Sequence, residues 1–188
     1  MIRWLFAIVV ILALPGCGGR ALPRFEKPLK RAGVMKIRTT AYTHTESDHT
    51  AYGSRNALGT NLKYGPINSA AADWSRWPAG TVFRIAFTGE IFEVDDYGWA
   101  LSGTNTIDLY QPSRSEMNEW GVRRVTIEIL HWGDLKDSYR ILKPRSKYRH
   151  IKRMVSQIEK RGLSSGKSCP LAPIEIRTAE SNRQETDL

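Results

Sequence analysis

The chain has 188 residues, 41% of them hydrophobic, and a formal net charge of +9 at pH 7. That length and apolar content allow one globular domain with a real core plus tails, and exclude a wholly disordered chain. The positive balance favours anionic partners such as nucleic acid, anionic lipid or an acidic wall polymer, and its sign alone does not choose among them.

Met1-Ile-Arg3-Trp carries one positive charge, Leu5 to Leu14 is apolar, and Pro15-Gly16-Cys17 follows. The apolar run is too short for a comfortable membrane span, so residues 1–17 are expected to be an export signal. Leu14-Pro15-Gly16-Cys17 resembles a bacterial lipoprotein cleavage box, with Pro15 in place of the usual small or hydroxyl residue. Lipidation of Cys17 would make the chain membrane-tethered; plain secretion or an uncleaved anchor are the alternatives. Gly18 after that cysteine favours, by resemblance to such lipoproteins, the outer membrane over the inner one. An export signal also conflicts with a nucleic-acid partner. Cys169 is the only other cysteine, so no intramolecular disulfide is expected beside a lipidated Cys17.

Residues 18–33, rich in Gly, Pro and basic side chains, read as a linker. The body spans 34–132 and its strand signals are short and frequent. Met35 to Thr43 is rich in Ile, Thr and Tyr, and Thr81 to Phe87 and Glu90 to Asp95 flank a Thr88-Gly89 turn. Thr106 to Tyr110 follows, and Val125, Ile127 and Ile129 alternate with polar neighbours as in a half-buried strand. One short helix is marked by the capping pair Ser113 and Glu116, with Met117 and Trp120 on one face. Short strands with little helix predict a mainly β fold, a small closed barrel. From 134 to 162 ten Lys or Arg residues face three acids. Ile151, Met154, Val155 and Ile158 form one stripe on a basic helix in the segment 133–162. That helix is expected to dock on the barrel with a solvated outer face, attachment to anionic lipid or wall polymer being the other possibility. Residues 163–188 are polar and are expected to be a disordered tail.

Three aspartates stand in separate motifs beside strand-like sequence: Ala-Ala-Asp73-Trp, Val-Asp95-Asp96-Tyr-Gly98-Trp99 and Thr106-Ile-Asp108-Leu-Tyr110. With Thr39-Thr40-Ala41-Tyr42-Thr43 ahead of them, and Gly121 and the Val125 strand behind, the stretch from about Lys36 to Leu130 resembles the three-aspartate (3D) domain. That domain is similar to the catalytic barrel of membrane-bound lytic transglycosylase A and to stationary-phase survival muralytic factors. The resemblance implies a six-stranded double-psi β-barrel that cleaves the bond between N-acetylmuramic acid and N-acetylglucosamine in peptidoglycan. It implies Asp108 as general acid and base, Asp96 as its catalytic neighbour, and Asp73, Thr40, Tyr42, Gly98 and Trp99 on the substrate groove. Tyr97, Trp99 and Trp74 depart from the family's pattern, and the stretch between Gly103 and Asp108 is slightly longer.

An ordinary aspartate, with a pKa near ~4, is a poor acid at neutral pH; burial or a second carboxylate raises it. Asp96 beside Asp108 is expected to supply that push. A lytic transglycosylase needs no activated water, because the muramic C6 hydroxyl attacks its own anomeric carbon and forms a 1,6-anhydro sugar. A water-using glycoside hydrolase and a non-catalytic glycan-binding lipoprotein are the alternatives. Taken singly, each aspartate could merely cap a turn, Asp73 above all. Asp95 is expected to face away from Asp96. Tyr42, Trp74, Trp77 and Trp99 are candidates for stacking on sugars or for packing. The loop from Thr43 to Tyr52 holds His44, Glu46, Asp48 and His49, but a solvated polar loop is the simpler account, and no metal or other cofactor is expected. The protein is expected to be a monomer acting on glycan strands, with the membrane as a second partner through Cys17.

Overall fold

The structure is a computed structural model that describes residues 20–46 and 53–162. The expected export signal, Cys17, Cys169, Asp48, His49 and the tail lie outside the described residues.

Six strands close into a barrel: β1 (Val34–Tyr42), β2 (Asn68–Ala72), β3 (Val82–Ile85), β4 (Ile91–Asp96), β5 (Ile107–Tyr110) and β6 (Arg123–His131). Around the barrel the order is β1, β5, β2, β4, β3, β6. The β1/β5 and β2/β4 pairs are parallel and the other four antiparallel. This is the mainly β, six-stranded barrel that the sequence predicts. The β3–β4 hairpin turns at Gly89, whose φ of 76° is open to glycine at little cost. Along β6, Val125, Ile127 and Ile129 are buried and alternate with exposed Arg124, Thr126 and Glu128, so the period-two pattern sets its register.

Strand β2, Asn-Ser-Ala-Ala-Ala, has no such signal; alanine is depleted in strands and carries no alternation to read. All five of its residues are buried. Small side chains suit a strand between two neighbours in a narrow barrel, with Ala70 and Ala72 fully enclosed among Phe83, Phe92, Ile107 and Leu109.

Helix α1 (Arg114–Trp120) begins at Ser113, whose Oγ accepts from the Glu116 amide at 3.2 Å and donates to the Glu116 carboxylate at 2.6 Å. It ends at Gly121, with φ 59°, and lays Trp120 on β1, the indole N–H donating to Thr39 Oγ1. Met117 is only half-buried.

The segment after the barrel holds two helices, α2 (Leu135–Leu142) and α3 (Arg149–Lys160), joined through a 3-10 turn at Lys143–Arg145; the first was not legible in the sequence. Ile151, Met154, Val155 and Ile158 of α3 are buried in the same cluster as the barrel interior. Burial of such a side chain contributes about 1.5–3 kcal/mol, so the stripe is core. The outer face of α3 is solvated as expected, with Arg149, Lys152 and Lys160 exposed, while other cations of the segment bond to carbonyls elsewhere in the chain. Arg145 donates to Ala57 O, Arg153 to Pro23 O and Ser102 O, and Arg161 to Ser75 O.

The supposed linker is likewise a strap across the barrel from residue 20 onward. Glu26 N donates to Gly103 O, Asn105 N donates to the Glu26 carboxylate, Asn105 Nδ2 donates to Lys27 O, and Phe25 lies under the Arg76 guanidinium. It has no helix or strand before Val34, which is all its composition foretold.

Candidate functional site

Directly paired residues on neighbouring strands project from the same side of a sheet. Thr40 pairs with Asp108 across β1/β5, Asp108 with Ala71 across β5/β2, and Ala71 with Asp96 across β2/β4. Thr40, Asp108, Ala71 and Asp96 therefore form one row over four strands. The residues that alternate with this row, such as Thr39, Ile107, Ala70 and Val94, are fully enclosed, so the row lies on the outer wall of the barrel. At the usual strand spacing the backbones of Asp96 and Asp108 stand about 10 Å apart.

Asp108 lies in an open cleft of about 460 Å³. Thr40, Arg38, Leu101 and Thr106 share its lining, and the strap contributes Pro23, Arg24 and Glu26. Thr40 Oγ1 donates to Asp108 Oδ1 at 2.6 Å. Burial pushes the Asp108 carboxyl up to about 7, against the Thr40 hydrogen bond, and the charges of Glu46 and then Asp96 push the same way. Asp108 Oδ2 has no hydrogen bond to the protein among the described residues.

Asp96 is held differently. Its Oδ1 accepts from the amides of Ala57 at 3.0 Å and Tyr97 at 2.9 Å, and its Oδ2 from the Tyr42 hydroxyl at 3.2 Å. Burial raises its pKa to about 6 in spite of these donors. It does not line the cleft, and no hydrogen bond joins it to Asp108. Asp96 thus acts on Asp108 through its charge.

The register of β2 against β4 shifts between Ala70 and Ala71, so that Val94 and Asp96 oppose successive residues and Asp95 is extra. Simple alternation does not describe this pair: both aspartates are buried, and the Asp95 charge raises Asp96. Asp95 Oδ2 ties the neighbouring loop to the barrel, accepting from Ser69 Oγ and Asn56 Nδ2 with Lys63 Nζ at 3.2 Å.

Of the residues expected on the groove, Thr40 lines the cleft, whereas Asp73, Tyr42, Gly98 and Trp99 do not. Asp73 is fully enclosed; its Oδ1 accepts from Ser75 N and Oγ, its Oδ2 from Gly103 N, and Arg76 Nε stands 3.7 Å away. A carboxylate so occupied organises its turn and has no contact with solvent for a substrate. Tyr42 is 7% exposed and packs edge-on against Tyr110, so its part is to hold Asp96. Gly98 lies in the turn that delivers Ala100 and Leu101 to the cleft, and a methyl group there would meet only the Leu101 side chain at ordinary contact distance. One face of Trp99 is covered by the Arg20 guanidinium, 4.6 Å from the ring centre. Trp74 and Trp77 are core; the first donates to Asp96 O and the second stacks on Trp132.

Arg38 and Arg24 escaped the sequence reading, and Glu46 figured there only as a polar residue of its loop. Arg38 stands two residues before Thr40, so alternation along β1 could have found it. Arg24 belongs to a strap that composition marks only as loop. Glu46 acts on Asp108 from the turn after β1, a meeting no local pattern announces. His44, in the same turn, bonds the Tyr110 hydroxyl at 2.8 Å. Among the described residues no cluster of three or more His, Cys, Asp or Glu could hold a metal ion, and no helix is long and apolar enough to cross a membrane.

No family model matches the chain. Among curated proteins it is 33% identical over 99 residues to YabE of Bacillus subtilis, named as a cell wall shaping protein. It is 31% identical over 97 residues to YocH of the same organism, named as a cell wall-binding protein. These matches take in 52% and 51% of this chain but only 23% and 33% of those proteins.

Proposed function

We propose that this chain is a cell-wall enzyme, a lytic transglycosylase of the 3D-domain type that cleaves peptidoglycan glycan strands at the bond between N-acetylmuramic acid and N-acetylglucosamine. The observation that carries it is Asp108: a carboxyl raised to about 7 at the wall of an open cleft, with one oxygen engaged by Thr40 and the other unbonded among the described residues. At neutral pH a large share of this group is protonated, which a general acid requires. The names of YabE and YocH support a cell-wall setting.

In the proposed cycle Asp108 Oδ2 gives its proton to the departing glycosidic oxygen as the bond to the anomeric carbon breaks. The oxocarbenium-like centre is then captured by the C6 hydroxyl of the same muramic residue, and Asp108 takes that hydroxyl's proton, regenerating the acid. One carboxyl suffices. Among the described residues the one other carboxylate on the cleft lining, Glu26, is held by the Asn105 amide at 2.7 Å, which favours this route over a two-carboxylate hydrolysis. Thr40 aims the acid, while Asp96 and Glu46 keep its proton on at higher pH.

Digestion of purified sacculi with mass spectrometry of the muropeptides tests the proposal. Anhydro-muramic ends should appear, and Asp108→Asn should cut their release by about 10²–10⁴. Reducing ends without anhydro sugar would make the enzyme a hydrolase. A non-catalytic wall binder is the second reading, favoured by the name of YocH; sacculus binding without release of fragments by the wild-type protein would establish it.

The same proposal places the protein in the cell envelope, exported and anchored through lipidated Cys17, as a monomer facing the periplasm from an outer membrane where the cell has one. Labelling with a radioactive or alkynyl fatty acid should mark the wild-type chain and not Cys17→Ala; equal labelling of both would remove the anchor.

A further inference from the structure

Two arginines stand on the wall of the Asp108 cleft, and the proposed acid chemistry uses neither. Arg38 comes from β1 and Arg24 from the strap; both are exposed and both line the cleft. Among the described residues Arg24 makes no hydrogen bond or ion pair to the protein, and Arg38 gives one hydrogen bond, from Nη1 to Thr106 Oγ1 at 3.1 Å. A guanidinium carries five N–H donors, so most of the donors of this pair are unused. The acids on the same lining do not take them up. Glu26 accepts from Asn105 N at 2.7 Å, and among the described residues no ion pair joins it to either arginine. Arg38 also works against the acid, because its charge lowers the Asp108 pKa that burial raises. A cation that opposes the raised carboxyl, and that pairs with no protein anion, fits a substrate bringing its own negative charge.

The register of β1 against β5 says where that charge would sit. Thr39 pairs with Ile107 and Thr40 with Asp108, so Arg38 and Thr106 come next in the same series, where their hydrogen bond joins them. Alternation puts Arg38 and Thr40 on one side of β1, roughly 7 Å apart along the strand. Consider a muramic unit whose anomeric carbon faces Asp108. Its lactyl ether stands on C3, two ring carbons away, and the lactyl carboxyl extends beyond the ring. That reach matches the step from Asp108 to Arg38. Guanidinium forks suit such a group, since they take a carboxylate with two parallel N–H···O bonds.

We propose that Arg38 and Arg24 form a carboxylate subsite for the muramic unit, the first from the barrel wall and the second from the strap, holding the lactyl carboxylate between them. The inference rests on the muramic substrate proposed above. Of the two alternating sugars only the muramic one carries this group, so the subsite selects which sugar turns its anomeric carbon to Asp108. On a strand stripped of peptide the lactyl carboxylate is free. Where a peptide is attached it is an amide, and the nearest carboxylates belong to the peptide stem.

The test reads binding by titration calorimetry, with the full chain carrying Asp108→Asn so that no glycan is consumed. The ligands are a soluble muramic–glucosamine oligosaccharide as the free acid, its methyl ester, and its peptide-bearing form. The free acid should bind about ten- to a hundredfold more tightly than the ester. Arg38→Gln should remove that difference and Arg24→Gln reduce it, with ester binding unchanged in both. Arg38→Lys, which keeps the charge without the fork, should retain part of it. Equal affinities for acid and ester, or variants that weaken all three ligands alike, would overturn the subsite. Should Arg38→Gln fail to fold, Arg24→Gln and the comparison of acid with ester decide. Tightest binding of the peptide-bearing form, lost in the same variants, supports the subsite with the stem as the source of the carboxylate. Binding of none of the three would remove the muramic substrate and the subsite together. Discrimination of acid from ester, without release of fragments from sacculi by the wild-type chain, supports the subsite and removes only the enzyme.

Discussion

Replacing Asp108 by Asn should stabilise the fold at alkaline pH while abolishing the proposed activity. The folded-state pKa of Asp108 is about 7, against ~4 in an unfolded chain. A carboxyl whose pKa is raised by folding favours the folded state fully only below its unfolded value, and that advantage is lost as pH climbs through the folded value. The gap of ~3 units corresponds to about 4 kcal/mol, lost between roughly pH 4 and pH 7–8. Partial exposure to the cleft screens the group, and about 2 kcal/mol is the figure to expect. Asparagine carries no charge, keeps an oxygen for the Thr40 hydroxyl and titrates nowhere in this range. Denaturant melts of both proteins at pH 4, 6 and 8 should therefore diverge, with the variant gaining about 2 kcal/mol relative to wild type between the ends of the series. A difference that is flat with pH, or a variant that loses ground at pH 8, would refute a buried, protonatable Asp108 and with it the acid at the centre of the proposed chemistry.

Thr40→Val removes the hydrogen bond that opposes the rise in Asp108, so the alkaline limb of the activity profile should move up by about one unit or less, visible in kcat/KM against pH. Glu46→Gln removes the foremost negative charge acting on Asp108 and should move the same limb down; an unmoved limb would disconnect Glu46 from the site. Gly133→Ala should cost about 1–3 kcal/mol in a thermal or urea melt, since a Cβ there would fall 2.0 Å from Ala79 O, a backbone atom that cannot turn aside.

The local signals in the chain were those whose physics is local. Alternation at Val125, Ile127 and Ile129, the Ser113 cap, the Thr88-Gly89 turn and the stripe from Ile151 to Ile158 each depend on neighbours within a turn or a strand. All stand in the structure where the sequence placed them. Four motif fragments in order pointed to a closed barrel, and the barrel is six-stranded. The alanine strand β2 was invisible because its residues are chosen for the space between β4 and β5, which exists only after closure.

How near the acids stand, and what surrounds each, was decided by tertiary structure. Asp73, of the three the one most expected to cap a turn, does so: its turn folds inward, and both carboxylate oxygens accept from Ser75 and Gly103. Asp96 and Asp108 share a row because β2 separates their strands by one residue of small volume. Glu46 and Arg24 reach the site from a turn and a strap whose composition says nothing of where they lie. Strand periodicity tells which way a side chain points relative to its own backbone. The distance between two charges on different strands, and the water left around them, follow from the closure of the whole barrel, and those are the quantities that set the pKa of Asp108.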